Sequence, residues 1–153
     1  MSMFGTHDSR LVNDMISVCH DGKAFYKDAA KEVNSPQLSA LFTEMADIRA
    51  SIEKDLQSTV SSMGEEPSES GTLIGKMRKT YTDVMSNLSD ETDYRYVAQL
   101  EEAEDDALET FKESVEKLED PLLTSRLSSH VDAIQLTHNR MRDLKHTMKD
   151  TRH

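Results

Sequence analysis

The chain has 153 residues and carries 18 Lys and Arg against 29 Asp and Glu, a net charge of −11 at pH 7. That length suits one domain with room for a core, and the acidic balance disfavours nucleic acid and anionic membranes as partners. Only 5 Gly and 3 Pro argue against an all-β fold, which needs a turn signal roughly every 8–12 residues.

A single Cys excludes an internal disulfide and suits a reducing, cytoplasmic compartment. No apolar run approaches the roughly 18 residues of a membrane span. Residues 1–8 lack the charged and apolar regions of a signal peptide and are expected to be a flexible N-terminus. The remaining class is a mostly helical, single-domain protein over residues 9–148.

The first helix is expected over about 9–33. Its apolar stripe is Leu11, Met15, Val18, Cys19, Gly22, Phe25, Tyr26, Ala29 and Val33, in steps of three and four that no strand can use. Asp8 or Ser9 can cap it by accepting a hydrogen bond from a free amide of the first turn. The second helix is expected over 36–63. Ser35 is a good N-cap, and Pro36 suits the first helical position, where no amide donor is needed. Its stripe runs Leu38, Leu41, Phe42, Met45, Ile48, Ile52, Leu56, Val60, Met63. Gly64 ends it, because Gly adopts the left-handed backbone cheaply.

A loop over 65–71 leads to a short helix over about 72–88. A third long helix over 90–118 carries Val97, Leu100, Glu104, Ala107, Leu108, Phe111, Val115 and Leu118. A fourth over 121–148 carries Leu123, Leu127, Val131, Ile134, His138, Met141, Leu144 and Met148. Residues 149–153 form a tail that should fray.

The junctions at Ser35-Pro36 and Asp120-Pro121 are alike. Each places a polar cap, then Pro, then an apolar helix, and each leaves only a couple of linking residues. Each long pair is therefore an antiparallel hairpin. The junctions lie 85 positions apart, which suggests an internal duplication. Two hairpins joined by a long crossover carrying a short helix make an all-α, ferritin-like four-helix bundle.

Charge is concentrated in one element. Residues 90–120 hold 13 acids and 3 bases, whereas residues 121–153 hold 3 acids and 6 bases. Such a run is chiefly a solvated face with some pairing to its basic neighbour.

Polar residues on apolar stripes are the candidates for chemistry. Glu104 interrupts the third stripe and His138 the fourth, and the hairpin geometry puts them within about a turn of each other, both facing inward. Glu101 and Gln135 lie one turn before them, on the same faces. Ferritin-like carboxylate centres use Glu from two helices and Glu-x-x-His from two others, a donor set suited to Fe or Mn. Here Gln135 stands where a Glu is wanted. The 85-residue offset maps His138 onto Glu53 and Glu104 onto Cys19. The tentative metal ligands are Glu104, His138, Glu101 and Glu53. A buried, purely structural Glu104–His138 pair is the competing expectation. Cys19, on an apolar stripe, reads as an inert core residue.

Several short motifs in order, among them Leu11-Val12-Asn13-Asp14-Met15, Asp21-Gly22 with Phe25-Tyr26, Ser35-Pro36 with Leu41-Phe42 and Arg49, Gly64-Glu65-Glu66-Pro67, Ala103-Glu104-Asp105-Asp106-Ala107-Leu108 and His138-Asn139-Arg140-Met141, are similar to a bacterial four-helix-bundle family of unknown function. The resemblance implies a ferritin-like bundle and carries no activity. Two functions stand open. One is a non-enzymatic interaction or stress-associated protein, self-associating as a homo-oligomer or docking a protein partner. The other is a metal-binding oxidoreductase or metal-sequestering protein using Fe or Mn. The incomplete ligand set argues against an enzyme and against a resident cofactor.

Overall fold

The structure, a computed structural model, describes residues 3–67 and 92–151. Four long helices account for nearly all of them: α1 (Met3–Glu32), α2 (Pro36–Ser62), α3 (Thr92–Lys117) and α4 (Pro121–Thr151). The short helix expected over 72–88 lies outside the described residues. Helix α1 packs along α2 and α3, and α3 along α4, so two antiparallel hairpins face each other.

The caps follow the sequence signals. Ser35 is the N-cap of α2, its side chain accepting from the Leu38 amide with Pro36 just inside. At the other end Gly64 takes φ +78°. Its amide donates to the Ser61 carbonyl and the Glu65 amide to the Val60 carbonyl, a Schellman close that satisfies carbonyls the helix would leave bare. Asp120 caps α4, accepting from the Leu122 amide.

Helix α1 begins at Met3 rather than near residue 9, so Asp8 sits inside a helix and is not its cap. Its buried carboxylate instead accepts from the Glu119 and Asp120 amides at 2.9 and 3.1 Å. Asp93, 85 positions on, accepts from the Asn34 and Ser35 amides at 2.7 and 3.0 Å. Each hairpin thus ties down the junction of the other, with the same residue type at equivalent positions. The 85-residue offset thus recurs in the contacts.

Helices α2 and α4 are bridged by ion pairs: Asp55 with Arg126 and His130, and Glu44 with Arg140. Partial burial acts to raise the Asp55 pKa, but hydrogen bonds from His130 and Arg126 outweigh it and hold the carboxyl below its ordinary range.

The core is two apolar clusters. One contains Met15, Cys19, Leu56, Phe111, Leu127 and Ile134. The other contains Tyr26, Phe42, Met45, Tyr96, Leu100 and Met141. On each helix the change from one to the other falls at a small or polar residue: Gly22, Arg49, Glu104 and Thr137. That layer holds the site. No helix among the described residues is long and apolar enough to cross a membrane.

Candidate functional site

Arg49 and Glu104 are the centre of the polar layer. Arg49 Nη2 lies 2.9 Å from Glu104 Oε1, and both side chains are almost wholly buried, at 2% and 1% exposure. Tyr26 donates its hydroxyl to Glu104 Oε1 at 2.5 Å, and Thr137 donates to Glu104 Oε2 at 2.9 Å. The carboxylate is therefore held by three helices besides its own. A buried charge demands such pairing, because solvation lost on burial must be replaced.

Burial alone would lower the Arg49 pKa, but the adjacent Glu104 carboxylate more than offsets this and holds it above the ordinary value. Tyr26 is pushed well up by burial and then by Glu104. Its phenol stays protonated and donating. Cys19, buried beside them, is pushed up to about 12 by burial. It is a thiol, not a thiolate, and a thiol is neither nucleophile nor metal ligand.

Gly22 completes the layer. A Cβ there would lie 2.8 Å from Arg49 Nη1, so the absent side chain is what admits the guanidinium. Arg49 thus occupies the space beside Glu104 that an interior metal would take. A guanidinium, a protonated phenol and a thiol do not fit an Fe or Mn centre.

Of the expected ligands, the structure brings Glu101 and His138 together and places Glu104 and Glu53 elsewhere. Glu104 and His138 share a level, as the hairpin geometry requires, but not a face. Glu104 points inward to Arg49. His138 sits at the edge of the α3–α4 seam, paired through Nε2 with Asp105. The expected buried Glu104–His138 pair is accordingly not formed. Glu53 lies on the other hairpin, bonded to Lys23 at 2.7 Å and His20 at 3.1 Å.

Asp105 lies off the apolar stripe of α3. With Glu101 one turn before it and His138 across the seam, it forms a group whose ligand atoms all lie within 4.8 Å of one another. Lys145 reaches Glu101 at 3.4 Å. On the far side of the imidazole, His138 Nδ1 is 3.3 Å from Asn139 Oδ1, which also accepts from Gln135 Nε2 at 3.0 Å. In this pairing Nε2–H donates to the Asp105 carboxylate; with that proton released and the other kept on Nδ1 toward Asn139, Nε2 would be free to face a metal. Orienting the non-ligating nitrogen in this way is how proteins fix metal-binding imidazoles. Gln135, expected only as a deficient ligand, orients the residue that orients His138.

The offset of 85 applies here too. Asp105 and His138 correspond to His20 and Glu53, so each hairpin carries an imidazole–carboxylate pair with acid and base exchanged. In the first hairpin Ile16 replaces Glu101, and Lys23 supplies the cation.

Fold and site together define a ferritin-like helical bundle with an ion-paired interior and a His/carboxylate group on an outer seam. The chain belongs to the family described as Domain of unknown function (DUF2383), whose model matches residues 9–117. No curated protein matches the chain. Among solved structures it is similar to a point mutant of Mycobacterium smegmatis Dps1, at 18% identity and TM-score 0.75, covering 95% of this chain and 99% of that one. It is also similar to a C-terminal deletion mutant of Mycobacterium smegmatis Dps, at 18% identity and TM-score 0.72, covering 91% and 97%. At that identity the likeness carries the fold alone.

Proposed function

We propose that this protein is a non-enzymatic, metal-binding bundle that holds a divalent first-row ion, Fe(II) or Mn(II), on the outer α3–α4 seam. The ligands are Glu101, Asp105 and His138. The observation that carries this reading is the convergence of their ligand atoms within 4.8 Å. Two carboxylates and an imidazole suit Fe and Mn, and the Asn139 contact leaves Nε2 to bind. Glu104 is excluded as a ligand because Arg49, Tyr26 and Thr137 already use both its oxygens. Glu53 is left out of the set because it lies on the other hairpin, held by Lys23 and His20.

An ion at the seam would displace Lys145 from Glu101 and part His138 from Asp105. The ligands must be deprotonated to bind, so affinity falls as pH is lowered. The test is anaerobic loading with Fe(II) or Mn(II), followed by removal of free metal and elemental analysis. One ion per chain, lost in His138→Ala, is the expected result. A chain that retains no ion, or a His138→Ala variant that retains the same amount, contradicts the reading.

A further inference from the structure

The inner network and the outer ligands occupy the same level of the same two helices. Glu104 and Asp105 are consecutive on α3, and Thr137 and His138 are consecutive on α4. Thr137 Oγ1 donates inward to Glu104 Oε2 at 2.9 Å, and His138 contacts Asp105 outward. Consecutive helical residues point about 100° apart. The inner bond and the outer pair are therefore two faces of one cross-link between α3 and α4. Fixing one fixes the axial register and rotation on which the other depends.

We infer that Thr137, acting through Glu104, is a positioning residue for the metal ligands on the opposite side of the seam. The inference rests on the metal-binding reading above. Thr137 is buried, and its hydroxyl faces Glu104 rather than the three ligands. The Ile134 carbonyl lies 3.0 Å from the same hydroxyl, so its single proton is shared between Glu104 and its own helix. Glu104 is in turn immobilised by Arg49 and Tyr26. The rigid interior ion pair thereby reaches the surface group through one hydroxyl. A site whose ligands come from two helices needs this support, because a displacement of a fraction of an ångström loosens it.

Co(II) is the probe, since its visible spectrum reports ligand geometry as well as occupancy. Titrations compare the wild type with Thr137→Val, Thr137→Ser and Thr59→Val. Thr59 is likewise buried, and its hydroxyl donates to the Asp55 carbonyl of its own helix, so Thr59→Val controls for general loosening of the core. The expected result is about tenfold weaker Co(II) binding with an altered spectrum in Thr137→Val, in line with the effect of removing ligand-supporting bonds. Thr137→Ser, which keeps the hydroxyl, and Thr59→Val stay close to wild type. If Thr137→Val does not fold, Thr137→Ala repeats the comparison. Wild-type affinity and spectrum in Thr137→Val overturn the inference but leave the metal reading standing. Equal weakening in Thr137→Ser also overturns it, because packing rather than the hydroxyl would then be responsible. Failure of the wild type to bind Co(II) overturns the metal reading and this inference with it.

Discussion

The guanidinium of Arg49 lies 2.9 Å from the Glu104 carboxylate, with both groups shut away from water in the middle of the bundle. An internal cation therefore already balances the internal acid. Removing one member of a buried pair leaves an uncompensated charge and costs about 3–5 kcal/mol, whereas replacing both with apolar residues is often neutral. Arg49→Met is expected to destabilise by that amount in urea unfolding. Arg49→Met combined with Glu104→Leu is expected to recover only part of it, because the buried Tyr26 hydroxyl then loses its acceptor. A double variant less stable than the single one would contradict the account.

Gly22 is required by the same pair. A methyl group at this position would press on Arg49 Nη1 at 2.8 Å, so the guanidinium must shift and its bond to Glu104 through Nη2 is strained. Gly22→Ala is expected to cost about 1–3 kcal/mol, the usual range for overpacking, despite the better helix propensity of Ala. Combined with Arg49→Met and Glu104→Leu it should cost much less. Thermal melts of the two backgrounds measure the difference.

Asp8 and Asp93 clamp the two hairpin junctions in equivalent ways. Replacing either with Ala strips two backbone amides of a charged acceptor. Leaving a buried group unsatisfied costs about 1–3 kcal/mol, which applies to Asp8; at Asp93 the loss is smaller, because Asn34 is exposed and water can replace the acceptor. A lowered urea midpoint with an unchanged slope would confirm a loss of stability rather than a change in the unfolded state.

Alkaline pH should weaken the fold. Cys19 titrates near 12 in the folded chain against 9.0 when unfolded, chiefly because it is buried. Tyr26 is likewise raised well above 10.0 by burial and by Glu104. Between these values the folded state holds protons that the unfolded state has released, so stability falls as pH rises. It is level with respect to these groups below about pH 9 and declines above it as the unfolded thiol and then the unfolded phenol ionise. Cys19→Ala should flatten the first part of the decline. Urea midpoints measured across this range check both slopes.

Much of this was legible in the sequence. Ser35-Pro36, Asp120-Pro121 and Gly64 marked helix ends by local chemistry, and the third stripe named its buried residues. The site was harder because one residue along a helix is a turn of about 100°. The stripe Leu127, Val131, Ile134 led to His138 as the inward residue. In the structure Leu127, Ile134 and Met141 are fully buried, and the residue that shares their face is Thr137. Hydropathy could not choose between Thr and His at adjacent positions. Asp105 is hidden for a different reason: Glu104 is the inward residue, as the third stripe indicates, and an apolar stripe says nothing of the outer residue beside it.

Arg49 was hidden by its charge. It sits at heptad spacing among Phe42, Met45, Ile52 and Leu56, all buried. Arg is seldom fully buried unless paired, so the stripe was drawn through Ile48. Its partner is 55 residues away, and only tertiary contact reveals it. The spacing was the available signal, since a charged residue on a heptad seam marks a polar core layer as readily as an exposed face.

Arg49 is the interior cation, and the proposed metal belongs on the seam. Mn(II) titration followed by electron paramagnetic resonance tests this placement most directly on the wild type, Asp105→Asn and Glu53→Gln. One bound ion in the wild type and in Glu53→Gln, with at least about tenfold weaker binding in Asp105→Asn, is the predicted result. Binding that survives Asp105→Asn but is lost in Glu53→Gln would contradict the account, as would a wild type that leaves all the Mn(II) free.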